Sequence, residues 1–334
     1  MVDLSTHIGS LVLQNPVMPA SGTFGFGWEA SKLYDINRLG AVVTKGTTRR
    51  ARAGNQLPRV TDCPAGMLNA VGLENPGAEH VLSTELPFLG TLYGGPIIAN
   101  VCGFSVDEYA YVAERLSQSP HVAALEINIS CPNVEGGGMS FGTDAHIAAE
   151  ITRAVRKATQ KPIFLKLSPN VTDITEIARA CEAEGADALT LINTLLGMRF
   201  DLQKRRPILA NTTGGLSGPA IFPIALRMVY QVYQAVKIPI VGVGGISSAR
   251  DVIEMMIAGA SAVQIGSAAL VNPAAVTDIL DALPAELEAI RAGSLWELIG
   301  ASQPPGNRFI NHPAKTAVLA GTPVISRFVV RKEI

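Results

Sequence analysis

Ile240-Val241-Gly242-Val243-Gly244-Gly245-Ile246-Ser247-Ser248-Ala249-Arg250-Asp251, continued to Ala262-Val263-Gln264-Ile265-Gly266-Ser267, reads as one strand–helix–strand unit. Two short apolar runs, 240–243 and 262–265, each end on glycine. Between them Val252, Met255 and Met256 share one helical face, and the serine pair stands where a helix cap belongs. Apolar strand, helix and apolar strand in this order build a parallel pair. Glycines at both strand ends let backbone N–H groups approach a phosphate, to which a helix N-terminus adds a favourable dipole. A lone glycine-rich turn is equally a tight strand-to-helix connection.

Six more apolar runs precede this unit: Val17–Ala20, Ala41–Thr44, Pro96–Ala99, Ala124–Ile127, Ile163–Leu165 and Ala188–Leu191. Among the helical patterns between them, Ile147, Ile151 and Val155 share a face, as do Ile174, Ile177, Ala178 and Cys181. Eight strands alternating with helices predict a (β/α)8 TIM barrel with its active site at the C-terminal face. A doubly wound sheet fits the same alternation, but its binding residues would gather at one crevice. Here the strands end in Ser21-Gly22, Lys45-Gly46, Asn100, Asn128, Lys166, Asn193-Thr194, Gly244-Gly245 and Gly266-Ser267, the ring expected at a barrel mouth. At strands seven and eight of a barrel, the paired glycine turns favour a phosphate-bearing ligand.

With 334 residues, 48% of them hydrophobic and 16% charged, the chain can bury a large core in one barrel or two smaller domains. A formal net charge of -1 gives no electrostatic reason to expect nucleic acid or an anionic membrane as partner. Met1-Val2-Asp3-Leu4 carries no basic region followed by an apolar core, and no apolar run reaches transmembrane length, so a cytoplasmic protein is the expectation. Cys63, Cys102, Cys131 and Cys181 lie far apart without a C-x-x-C pair. That weighs against a sequence-local zinc or iron–sulfur site; no metal is expected, and the thiols read as reduced.

Glu126-Ile127-Asn128-Ile129-Ser130-Cys131-Pro132-Asn133-Val134 carries the strongest chemical signal. An apolar strand runs straight into a cysteine flanked by two asparagines. A thiol at a strand's mouth can serve as base or nucleophile, and the amides offer donors and acceptors to a small polar ring. The competing reading is a small buried cysteine among turn formers. Gly136-Gly137-Gly138 follows, which reads as a mobile flap over the cysteine's substrate. Lys45 and Lys166 end apolar strands. A cation beside an electron-accepting ring would stabilise the charge arriving with a hydride, whereas a rim lysine merely snorkels to water. The long connections 46–95 and 195–221 read as ordered active-site walls, their arginine clusters (49–52, 205–206) as solvated faces.

Taken together these residues closely resemble the dihydroorotate dehydrogenase family, flavin enzymes that oxidise dihydroorotate to orotate in pyrimidine synthesis. The resemblance covers roughly residues 1–300. It rests on N-P-V-M-P-A-S-G-T-F-G at 15–25, V-T-K-G-T-T at 43–48, N-A-V-G-L-E-N-P-G at 69–77, N-I-S-C-P-N-V at 128–134, I-N-T-L at 192–195, G-G-L-S-G-P at 214–219 and V-G-V-G-G-I at 241–246. The family fold is a barrel with FMN at its C-terminal face. Cysteine at 131, where the membrane-associated class has serine, and the missing N-terminal membrane helix resemble the soluble first class. The S-G-T-F-G-F-G and G-G-L-S-G-P stretches look most like its NAD-linked subclass, type B. There the catalytic subunit works with an electron-transfer subunit carrying FAD and a 2Fe-2S cluster, in a heterotetramer built on a homodimer.

The resemblance implies that Cys131 takes a proton from C5 of dihydroorotate while hydride leaves C6 for flavin N5, and that Lys45 meets both flavin and substrate. It implies substrate contacts from Asn69, Val71, Gly72, Leu73, Asn128, Asn133, Asn193 and Thr194. FMN contacts would come from Ser21, Lys45, Gly46, Asn100, Asn128, Lys166, Ile192, Gly218, Gly244, Gly245, Gly266 and Ser267, with Gly244, Gly245, Gly266 and Ser267 at the phosphate. Residues 301–334 depart from the pattern as a C-terminal extension of unassigned role, in which Phe309, Val318, Leu319 and Val324 read as packing residues and Phe328-Val329-Val330 as a short added strand. Other readings are a fumarate-linked homodimer, an FMN oxidoreductase of reduced pyrimidine bases, a non-flavin phosphate-binding isomerase or aldolase, and a non-catalytic binding subunit.

Overall fold

The computed structural model describes residues 2–130 and 141–304. All eight predicted runs are parallel strands of one sheet: β1 (Val17–Pro19), β2 (Val42–Val43), β3 (Ile97–Val101), β4 (Val122–Asn128), β5 (Ile163–Lys166), β6 (Ala188–Leu191), β7 (Ile240–Val243) and β8 (Ala262–Ile265). Hydrogen bonding runs β1-β8-β7-β6-β5-β4-β3-β2. The remaining gap closes where Gly40 N–H donates to the Val17 carbonyl at 3.0 Å. From β2 onward each strand is followed by a helix: α1 (Leu86–Leu92), α2 (Val106–Ser117), α3 (Ala145–Ala158), α4 (Ile174–Ala183), α5 (Phe222–Ala235), α6 (Ala249–Ala258) and α7 (Ala275–Ala289). This is the (β/α)8 barrel.

The helices start where short polar side chains can satisfy free N–H groups. Ser105, Asp144 and Asp173 accept from the first turns of α2, α3 and α4. Ser248 caps α6 reciprocally with Asp251, whose carboxylate also accepts from Ser247 N–H at 2.8 Å. The predicted cap is therefore real, and Asp251 reaches back to the two residues that precede the helix.

Strand parity divides the core. Outward residues such as Leu125, Ile127, Ile163, Leu165, Val263 and Ile265 pack under the helices. Inward residues form a second cluster with Met18, Val43, Ile98, Ala124, Phe164, Ala188, Val241 and Ala262. Its lower end is plugged by an antiparallel hairpin, Thr6–Ile8 with Leu11–Leu13, whose Ile8 and Leu13 are fully buried. The hairpin's three-residue strands are too short to leave a periodic signal in the sequence.

The two long connections meet above the barrel. Leu195–Gly197, Gly214–Ser217, Gly66–Asn69 and Val60–Cys63 form, in that order, a four-stranded antiparallel sheet. Their close approach requires glycine: a Cβ on Gly66 would stand 2.2 Å from the Ser217 carbonyl oxygen. The expected walls are thus one structure built from two distant segments. Arg49 and Arg52 lie over the Tyr111 and Phe104 rings. Among the described residues no helix is long and apolar enough to cross a membrane. Phe309, Val318, Leu319, Val324 and Phe328–Val330 lie outside the described residues.

Candidate functional site

A cavity of about 270 Å³ opens at the C-terminal mouth, roofed by the four-stranded sheet. The predicted residues Ser21, Lys45, Gly46, Asn69, Val71, Gly72, Leu73, Asn128, Lys166, Ile192, Asn193, Thr194, Gly244, Gly245, Gly266 and Ser267 all line it. Two take other positions. Asn100 is fully buried one layer below the wall, and Gly218 faces a neighbouring cavity lined by Ser247, Ser248 and Arg250. Cys131, Asn133 and the Gly136–Gly138 run lie outside the described residues.

One wall is an amide cluster. Asn193 Nδ2 donates to Ser130 Oγ at 2.7 Å and to Asn128 Oδ1 at 3.3 Å, while the Ser130 hydroxyl donates to Asn128 Oδ1 at 2.9 Å. Thr194 N–H donates to Asn193 Oδ1 at 2.8 Å, which fixes the Asn193 amide plane. These bonds hold the asparagines at the end of β4 and after β6 in one orientation. Ser130 was missed as a site residue because a serine beside a cysteine carries no separate signal.

The opposite wall, Val71–Glu74, is a loop pinned by Asn75. Its buried side chain accepts from Thr48 and Gly77 N–H and donates to Thr48 Oγ1 and the Leu73 carbonyl. Leu73 takes a left-handed conformation at φ 57, a strain that such pinning sustains. Facing this wall, the N–H groups of Gly244, Gly245, Gly266 and Ser267 have no hydrogen-bond partner among the described residues. A Cβ on Gly266 would find only Ala20 Cβ, at 3.8 Å, so the backbone there opens directly onto the cavity. Donors without partners beside open space suit an anion such as a phosphate.

The two lysines differ in their surroundings. Lys45 is partly exposed in the cavity, and its ammonium has no partner among the described residues. Lys166 is buried at the floor, its Nζ 3.4 Å from Glu126 Oε1 and 3.4 Å from Gln264 Oε1. Glu126 also accepts from Asn100 Nδ2 at 2.7 Å and from Gln264 Nε2. The Thr190 hydroxyl, registered beside Lys166, is buried without a partner. Glu126 and Gln264 were missed as site residues. Period-two parity from Lys166 and Asn128 would have turned both inward.

Cys181 is buried on the inner face of α4, its thiol pushed up to about 12 by desolvation, and takes no part in the site. Among the described residues there is no cluster of His, Cys, Asp and Glu able to hold a metal ion.

The family model for dihydroorotate dehydrogenase matches residues 3–287. A protein of Geobacillus sp. strain WCH70 is 54% identical over 307 residues, covering 92% of this chain and 98% of its own length. One of Anoxybacillus flavithermus is 56% identical over 299 residues (90% and 96%), and one of Trichlorobacter lovleyi 55% over 298 (89% and 98%). All three are named dihydroorotate dehydrogenase B (NAD(+)), catalytic subunit.

Proposed function

The chain belongs to the dihydroorotate dehydrogenase family, and from that premise we propose that it is the FMN-dependent catalytic subunit of an NAD-linked enzyme oxidising dihydroorotate to orotate in pyrimidine biosynthesis. One observation carries the reading: sixteen sequence-assigned residues from seven strand ends and one long connection line a single cavity. The free N–H groups at its glycine end fit the FMN phosphate, and the lysines and amides fit the ring and the substrate. When bound, the flavin supplies the hydride acceptor.

The chain's own residues do the rest. Asn128, Asn193 and Thr194, locked by mutual hydrogen bonds, orient the substrate ring with Asn69, Asn133 and the Val71–Leu73 backbone. Cys131 would take the proton from C5, so that the C5–C6 single bond can become double as C6 gives up hydride to the acceptor that a bound flavin would supply. An ordinary thiol titrates near 8.5, and a cation such as Lys45 in the same site would help it act as a base near neutrality. Lys45, with no competing protein partner among the described residues, meets the charge that accumulates on reduction.

Electrons leave through a partner subunit carrying FAD and a 2Fe-2S cluster, in a cytoplasmic heterotetramer built on a homodimer. The catalytic-subunit names of the relatives support a second subunit. The exposed apolar side chains Leu196, Phe200 and Leu202 support pairing of like chains. On this reading residues 1–300 are the FMN-binding barrel. The extension begins docked, Gln303 donating to the Ala258 carbonyl at 2.7 Å.

Anaerobic mixing of the purified yellow protein with dihydroorotate tests the reading. Flavin absorbance should bleach, an artificial dye should restore it, and NAD should not do so rapidly without a partner. A colourless chain that cannot be reconstituted with FMN refutes the reading. Strong fumarate-dependent turnover moves it to the fumarate-linked subclass.

A further inference from the structure

The inside of a barrel is ordinarily apolar, and a carboxylate there costs several kcal/mol unless its oxygens are fully answered. Glu126 is completely buried inside this one, yet both of its oxygens are occupied. Asn100 Nδ2 donates to Oε1 and Gln264 Nε2 to Oε2, so amides from β3 and from β8, across the lumen, grip the side chain of β4. Each donor can only donate through that nitrogen, which uses the carboxylate as an acceptor at both ends. Among the described residues the one cation in reach is Lys166, whose Nζ lies 3.4 Å from Glu126 Oε1 and 3.4 Å from Gln264 Oε1. Lys166 also lines the cavity.

The geometry therefore ties a floor cation to a fully buried counter-charge. Register alone does not require this arrangement: two residues lower, the same inward lines carry Ile98, Ala124, Phe164 and Ala262 and pack without a polar atom. Resting on the flavin reading above, we infer that Glu126 is a positioning residue for Lys166. It holds the ammonium at the cavity floor and offsets its charge, and so sets how readily the bound flavin accepts electrons. Asn100 and Gln264 are the brackets that keep Glu126 in place.

The test is Glu126→Gln, read by the midpoint potential and spectrum of bound FMN. An amide of the same size leaves the Lys166 charge without its counter-ion, and reduced flavin is more negative than oxidised flavin. The potential should rise, with reduced FMN gaining roughly tenfold in affinity over oxidised FMN. The same substitution made in Lys166→Gln protein should produce no shift, because the charge through which Glu126 acts is gone. If Glu126→Gln does not fold, Glu126→Asp keeps the charge while drawing it one methylene away, and should raise the potential less, again only when Lys166 is present. A folded variant whose bound FMN keeps its potential overturns the inference, as does an equal shift with and without Lys166. Unmodified protein that takes up no FMN overturns the underlying functional reading instead.

Discussion

Two levels of the barrel interior stand two residues apart on the same strands and differ in almost everything. Ile98, Ala124, Phe164 and Ala262 fill the lower level with the hairpin residues Ile8 and Leu13 beneath them. One inward step up, the same lines read Asn100, Glu126, Lys166 and Gln264, joined by hydrogen bonds and an ion pair. Above that stand Asn128 and the open glycine backbone of Gly266. The lower level closes the barrel by packing, and the upper level holds charge in defined positions where a ligand can meet it. A single period-two strand thus grades from stability to chemistry along its length.

The largest effect should come from the proposed base. Cys131→Ala should slow flavin reduction by dihydroorotate by about 10²–10⁴-fold, the contribution of a placed general base, while unfolding and orotate binding stay nearly unchanged. Cys131→Ser should keep part of the activity, displaced to higher pH because a hydroxyl is the weaker acid. Stopped-flow absorbance under argon measures both, and unaltered kinetics in the Ala variant would remove the base from this site.

The lower level should respond in the opposite currency. Phe164 is fully buried in the inner cluster, so Phe164→Ala should cost about 3–5 kcal/mol of stability by leaving a cavity that the closed barrel cannot collapse around. The folded fraction should still bind FMN with its original potential. Denaturant unfolding and a redox titration separate the two, and a displaced potential would show the levels to be coupled rather than graded.

Lys45→Ala should be milder and purely functional. Its ammonium has no protein partner among the described residues, so stability should change by no more than about 0.5 kcal/mol. Reduction should slow roughly tenfold, with lower flavin potential and weaker dihydroorotate binding. If all three match the unmodified protein, Lys45 is a rim residue that merely reaches into the cavity.

The fold was legible because eight apolar runs in alternation with helical faces admit few architectures, and because nearly every run ended in a polar or glycine residue. The site was legible wherever a residue sat at a strand end or in a motif, as Asn128, Lys166 and Gly244 do. What escaped lay below the rim or across the chain. Glu126 and Gln264 are polar residues inside apolar runs, and only their shared inward parity and their meeting across the lumen give them a partner. The roof sheet pairs Gly66–Asn69 with Gly214–Ser217, a contact between distant short strands rich in glycine that local periodicity cannot reveal. The serine pair marked the start of α6, whereas the return contact of Asp251 to the Ser247 and Ser248 N–H groups carried no separate signal.

The smallest effect should distinguish the two glycine turns that began the sequence reading. At Gly245, with φ 75, a new Cβ would stand 2.6 Å from the Phe222 backbone nitrogen, so Gly245→Ala should cost roughly 1–2 kcal/mol through strain alone. At Gly266 the backbone needs no left-handed conformation, and the new methyl would meet only Ala20 Cβ at 3.8 Å. Gly266→Ala should therefore leave unfolding within about 0.5 kcal/mol of the parent, yet occupy space that a bound phosphate would share. FMN affinity should fall several-fold, while riboflavin, which lacks the phosphate, should bind much as before. Equal losses for both ligands would place the phosphate elsewhere along the rim, and no loss for either would make Gly266 a residue of the turn and not of the site.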